Sequence, residues 1–79
     1  MKREELELIY ERVTCKSGLI DFLKALSQDF NENKKEWENV SIDHYLESIS
    51  AWLEDTKDQP EIVSWQDIAK IFFVGKFYE

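Results

Sequence analysis

Residues 40–55, VSIDHYLESISAWLED, decide the fold because they combine a helix start signal with a complete helical stripe. Ser41 is the predicted N-cap, and Val40 and Tyr45 stand at the two positions of a hydrophobic staple. Apolar residues then recur at three- and four-residue steps: Ile42, Tyr45, Leu46, Ile49, Trp52 and Leu53. This spacing predicts an amphipathic helix over about 41–54.

The same pattern continues after this stretch. Ser64 is a predicted N-cap, Asp67 stands where a capping-box acid would, and Gly75 is the predicted C′ residue. A helix is therefore predicted over about 64–74. Pro60 lies in the polar connection before it and cannot sit inside a helix.

Two further helices are predicted before residues 40–55. The second has Ser17 as its cap, covers about 18–31, and carries the stripe Leu19, Ile20, Phe22, Leu23, Leu26 and Phe30. The first covers about 3–13 and carries the stripe Leu6, Ile9, Tyr10 and Val13. Strand-like alternation is absent, so residues 1–79 are predicted to form a single all-α domain, a small bundle of about four helices.

The composition is that of a small folded chain in a reducing compartment. It has 79 residues, of which 43% are hydrophobic and 14% aromatic, with two glycines and one proline. A lone cysteine excludes an internal disulfide framework and a cysteine-rich zinc site. No apolar run approaches the roughly 20 residues that span a bilayer. We therefore expect a cytoplasmic protein with no membrane association.

The net charge of −7 is concentrated on the third helix and the loop after it. Residues 41–58 contain five acids and one lysine, which leaves −4 of the total. Asp43, Glu47 and Glu54 fall on one helical face, and Asp55 follows them. An acidic surface disfavours nucleic acid and favours a basic protein partner. These four residues are candidate partner-binding residues, and the alternative is that they only keep the protein soluble.

The aromatic residues supply a second candidate surface. Trp52 and Trp65 match the helical stripes and are predicted to be core residues. Trp37 lies in a polar connection, where it is either a core residue or a surface residue that binds a partner. Phe72 and Phe73 are adjacent, so both are not expected to point inward. Phe73, with Phe77 or Tyr78, is therefore predicted to form an exposed apolar patch for a partner or a second copy. The alternative is that the first helix or the tail covers it.

The sequence offers little for catalysis or for a cofactor. Cys15 and His44 are the most obvious nucleophile and base, and they lie in different segments without a surrounding signature. A Glu-x-x-His metal motif is absent, because Ser41 stands three residues before His44. We expect no enzyme activity, no metal and no cofactor.

A resemblance follows from a series of short motifs. Glu36-Trp37-Glu38-Asn39, Trp52-Leu53-Glu54-Asp55, Ser64-Trp65 and Lys76-Phe77-Tyr78-Glu79 occur in this order, with Asp29 before them. The pattern, over about residues 19–79, resembles a family of small acidic all-helical bacterial proteins of unknown function. The resemblance implies a complete cytosolic bacterial protein, and it implies no catalytic residue.

The favoured function is a non-enzymatic protein–protein interaction module that binds an unidentified partner. One concrete form is an immunity- or antitoxin-like inhibitor, whose acidic surface would cover a basic active site. The alternative is a self-associating structural or accessory subunit, with a homodimer as its simplest form. A small enzyme that uses Cys15, His44 or clustered carboxylates is the remaining hypothesis.

Overall fold

Four α-helices are present in the part of the chain that the computed structural model describes, residues 3–56 and 64–77. They are α1 (Arg3–Glu11), α2 (Lys16–Glu32), α3 (Ile42–Asp55) and α4 (Trp65–Phe77), with a short 3-10 helix, Lys34–Glu36, after α2. No strand occurs within these residues. The predicted all-α bundle is confirmed.

The helix starts agree with the predicted caps in part. Ser64 caps α4, because its Oγ accepts a hydrogen bond from the Asp67 backbone N–H at 3.1 Å. Ser41 is the N-cap residue of α3, but its side chain makes no cap hydrogen bond. The prediction that Ser17 caps the second helix is wrong: α2 begins at Lys16 and Cys15 is its N-cap, in an extended conformation.

Two predicted helix ends are also wrong. The first helix ends at Glu11, and the Arg12 and Val13 amides donate to the Ile9 and Tyr10 carbonyls in a tighter turn. Gly75 is not a C′ residue but a buried residue inside α4, which continues to Phe77. Gly75 faces the side chain of Tyr45, and a residue with a Cβ at this position would require a shift of its neighbours.

Helix α4 is the central element of the bundle. It packs against α1, α2 and α3, whereas α3 contacts no other helix among the described residues. A helix with neighbours on several sides is apolar around most of its circumference, as the stretch IAKIFFVGKF is. This arrangement explains why Phe72 and Phe73 are both packed against the core, contrary to the prediction.

The core lies where α1, α2 and α4 meet. Its buried apolar residues are Leu6, Val13, Phe22, Ala25, Leu26, Trp37 and Ala69. Several predicted stripe residues are exposed instead. Ile42, Leu46 and Leu53 are 72%, 56% and 46% exposed, because α3 touches only α4 and leaves its outer side open. Trp65, predicted to be in the core, is 40% exposed at the first turn of α4, while Trp52 is half-buried.

None of the helices in residues 3–56 and 64–77 combines the length and apolar character needed to cross a membrane.

Candidate protein-binding surface

A buried ion pair joins α2 to the end of α4. The Lys76 Nζ donates to Asp29 Oδ2 at 2.7 Å, and both side chains are almost fully buried. Trp37 Nε1 donates to the same oxygen at 2.8 Å, and Asn33 Nδ2 donates to Oδ1 at 3.0 Å. Burial alone would raise the pKa of Asp29, but the hydrogen bonds from Lys76, Asn33 and Trp37 hold the pKa below its ordinary value of 3.8.

Two further hydrogen bonds hold the segment between α2 and α3 against α4. The Glu38 backbone N–H donates to the Lys76 carbonyl at 3.0 Å, and Asn39 Nδ2 donates to the Gly75 carbonyl at 2.9 Å. These carbonyls lie in the last turn of α4, where a helix leaves acceptors without intrahelical partners. The connection that carries Trp37 is thus part of the folded body.

Tyr45 joins α3 to α4. Its hydroxyl donates to the Phe72 carbonyl at 2.6 Å, and burial raises the pKa of Tyr45 to about 12. The Tyr45 ring lies 6.0 Å from that of Trp37, and the Trp37 ring meets Phe30 edge to face at 5.0 Å. Together these three rings link α2, the connection and α3.

A groove opens above these rings, between α2 and α3. It has a volume of about 450 Å³ and is mainly apolar. One side is formed by Leu23, Leu26, Ser27 and Asn31 of α2, and the other by Val40, Ser41, Ile42 and Tyr45. Phe30, Trp37, Asn39 and Phe72 complete the lining. The groove exists because α2 and α3 both pack on α4 but do not contact each other.

The exposed side of α3 extends this apolar surface. Ile42, Leu46 and Leu53 form an exposed row, here called the apolar row, that begins at the groove. Eleven residues separate its ends, which corresponds to about 16 Å of helix. Three exposed apolar side chains on one helix face, continuous with an apolar groove, make this surface a candidate interaction site.

An acidic row runs beside the apolar row. Asp43, Glu47 and Glu54 are exposed and lie on one face of α3, as predicted, on the side of the apolar row away from α4. Asp55 is also exposed but lies on another side of the helix. Helix α3 contains no Lys or Arg, and its last turn has no basic residue. The predicted acidic face of Asp43, Glu47 and Glu54 is therefore present, and it adjoins an exposed apolar surface that is formed by residues of the predicted helical stripe.

Of the predicted aromatic patch at the C-terminal end, Phe73 and Phe77 are only partly exposed. Phe73 packs against Tyr10 of α1 at 5.3 Å, Phe22 of α2 at 5.6 Å and Phe77 at 5.4 Å. The contacts with Tyr10 and Phe77 favour the alternative that the first helix or the tail covers Phe73. Phe77 is half-buried, and Tyr78 lies outside the described residues. Trp37 is 9% exposed and belongs to the core, with one side at the groove.

The Asp29–Lys76 pair is not among the interactions predicted from the sequence. A signal for Asp29 was available: it lies seven residues after Phe22 and three after Leu26, on the buried stripe of α2. Asp29 and Lys76 also belong to the motifs that carried the family resemblance. Their pairing depends on how α2 packs against α4, which residue spacing along either helix does not specify.

Catalytic and metal-binding groups are dispersed in the described residues. Cys15 is exposed at the start of α2, where its Sγ forms a hydrogen bond with Ser17 Oγ. His44 is exposed in the first turn of α3. Residues 3–56 and 64–77 contain no group of three or more His, Cys, Asp or Glu side chains that could hold a metal ion.

Comparison with known proteins gives a family but no activity. A family of unknown function, DUF7660, matches residues 15–79, which is most of the chain. The chain therefore belongs to this family, and the predicted resemblance to a family of unknown function is confirmed over that range. No curated protein and no solved structure matches the chain.

Proposed function

We propose that this member of DUF7660 is a non-enzymatic protein-binding module that uses the outer side of α3 to bind a basic protein. The observation that supports this proposal is the pairing of two exposed rows on one helix. The acidic row can attract a basic surface from a distance, and the apolar row provides the area that stabilises the complex after contact.

The acidic residues of α3 are electrostatically unfavourable in the free protein, and this supports the same proposal. Asp43 and Glu47 are four residues apart, so their charges repel each other on the helix surface. Glu54 lies in the last turn of α3, where negative charge is unfavourable because of the helix dipole and where the helix has no basic residue. A basic partner would offset these costs on the acidic row.

The concrete form of the proposal is an immunity- or antitoxin-like inhibitor that covers a basic active site. The small size of the chain and the concentration of its charge on one helix support this form. Self-association through the C-terminal aromatic residues has less support, because the Phe73 ring packs against Tyr10 of α1 and Phe22 of α2.

Affinity capture from the native lysate tests the proposal when two matched variants are compared with the wild type. The test variant carries Asp43→Lys, Glu47→Lys and Glu54→Lys. The control carries Glu5→Lys, Glu11→Lys and Asp21→Lys, at exposed positions on α1 and α2. Each variant changes the net charge by +6, from −7 to −1.

We expect the wild type to capture a basic protein at low salt and to release it at high salt. The control should retain this partner and the test variant should lose it. Equal loss in both variants would mean that only net charge matters. Retention in the test variant would show that the partner binds elsewhere.

A further inference from the structure

The groove and the two rows of α3 together define a binding site with a particular shape. The apolar row leaves the groove and continues for about 16 Å along one straight helix. A compact small molecule would fill the groove but leave Leu46 and Leu53 exposed. An elongated ligand would cover the groove and the row together.

The polar rim of this site is asymmetric. On the α3 side the apolar row is flanked by Asp43 and Glu47, whereas the α2 side of the groove presents the neutral Ser27 and Asn31. The ammonium of Lys34 lies 4.8 Å from the centre of the Phe30 ring, near the end of α2. A ligand with positive charge along one edge would place that edge over α3 and away from Lys34.

We infer that the groove between α2 and α3 binds a basic amphipathic α-helix of a partner protein, with its apolar side chains in the groove and along the apolar row and its Lys and Arg side chains beside Asp43 and Glu47. This inference rests on the proposed function and specifies the partner's chemistry. Apolar side chains at i, i+3, i+4 and i+7 are the usual anchors of a helix that binds in a groove.

Charge argues against a second copy of this chain as the occupant. Two chains, each with a net charge of −7, would bring their acidic rows close together if both used this face. Like charges placed in this way oppose association, and they do so most at low salt. A basic helix instead relieves the repulsion between Asp43 and Glu47.

A set of three synthetic peptides tests the inference directly. The first is a helix of about four turns with leucines at the anchor spacing and lysines along one flank. The second has the same composition with the leucines scrambled, so that charge is kept and the apolar face is lost. The third keeps the apolar face and has glutamate in place of lysine. Binding is measured by fluorescence anisotropy of labelled peptides against the full chain.

We expect saturable binding of the first peptide, and binding at least about tenfold weaker for the other two. Backbone amide shifts should change around Leu23, Ile42 and Leu46. Ile42→Asp should weaken binding by about tenfold or more, because Ile42 is exposed at the mouth of the groove and its change leaves the core intact. Leu8→Asp, at a residue of α1 that is 50% exposed, is the matched control and should bind as the wild type does.

Four other results would overturn the inference, and each of them points to a different explanation. If the scrambled peptide binds as tightly as the first peptide, charge alone accounts for binding. Binding of the apolar dye anilinonaphthalene sulfonate but of no peptide would indicate a small-molecule cavity. A dimer that is already present at low salt and that Ile42→Asp abolishes would assign the groove to a second copy. If native capture is lost with reversed charges on α3 but is unaffected by Ile42→Asp, the proposed function stands and the helix-binding groove is wrong.

Discussion

Asp29 keeps its charge although it is shielded from water. Its carboxylate accepts hydrogen bonds from Lys76, Trp37 and Asn33, so a full set of donors replaces the water that burial removes. These donors belong to α4, the connection and the end of α2. Asp29 therefore joins three parts of the chain, and its ion pair with Lys76 determines how the end of α4 docks.

A double-mutant cycle should show strong coupling between Asp29 and Lys76. Lys76→Met leaves a buried carboxylate without its cation, and we expect it to lower the free energy of unfolding by about 3–5 kcal/mol. Asp29→Asn strands the ammonium and should cost a similar amount. The double variant should lose less than the sum of the two, since it leaves no unpaired charge. Urea denaturation followed by circular dichroism measures all four proteins, and additive losses would show that the pair is not coupled.

The same pair predicts a specific acid sensitivity. Because the pKa of Asp29 in the folded protein is below its ordinary value of 3.8, the unfolded chain takes up a proton at higher pH than the folded chain does. The stabilisation is therefore present above 3.8 and is lost as the pH falls through the folded pKa. The wild type should lose more free energy of unfolding across this range than the variant with both Asp29→Asn and Lys76→Met. Parallel pH profiles for the two proteins would contradict the assignment.

At the scale of the elements, helical spacing in the sequence predicts the four helices but not their arrangement. The stripe of α3 has the same period whether one or two neighbours cover it. Ile42, Leu46 and Leu53 thus belong to the predicted stripe, although only the side carrying Tyr45 and Ser48 is packed. The adjacent Phe72 and Phe73 are both accommodated because α4 is central. The acidic row was predictable, since charge and period locate it without tertiary contacts.

Gly75 determines how closely α3 approaches α4. A Cβ at this position would lie 2.8 Å from Cε1 of Tyr45 and 2.9 Å from Cγ1 of Ile49. The Tyr45 ring cannot easily move away, because its hydroxyl donates a hydrogen bond to the Phe72 carbonyl.

Gly75→Ala should therefore lower the free energy of unfolding by about 1 kcal/mol or more, although alanine normally stabilises a helix relative to glycine by about that amount. Thermal denaturation checks this. Ser50→Ala, on the exposed side of α3, is the control and should have little effect. A Gly75→Ala protein as stable as the wild type would mean that α3 and α4 can separate at little cost.

At the scale of the whole molecule, the α3 face combines two features with opposite effects on self-association. The apolar row favours contact between copies, while the net charge of −7 opposes it. Coulomb repulsion falls as salt increases, since the screening length shortens to about 10 Å at 0.1 M and about 3 Å at 1 M. The balance between these features therefore depends on ionic strength.

We expect a mass near 9.5 kDa by light scattering at low salt, because repulsion between the acidic rows outweighs apolar contact. Any self-association should appear only as salt increases, and Ile42→Asp should suppress it while Leu8→Asp should not. Binding of a basic partner should respond in the opposite direction and weaken as salt increases. A dimer that persists at low salt and withstands Ile42→Asp would place the contact between copies outside α3, and would leave this face open for a partner.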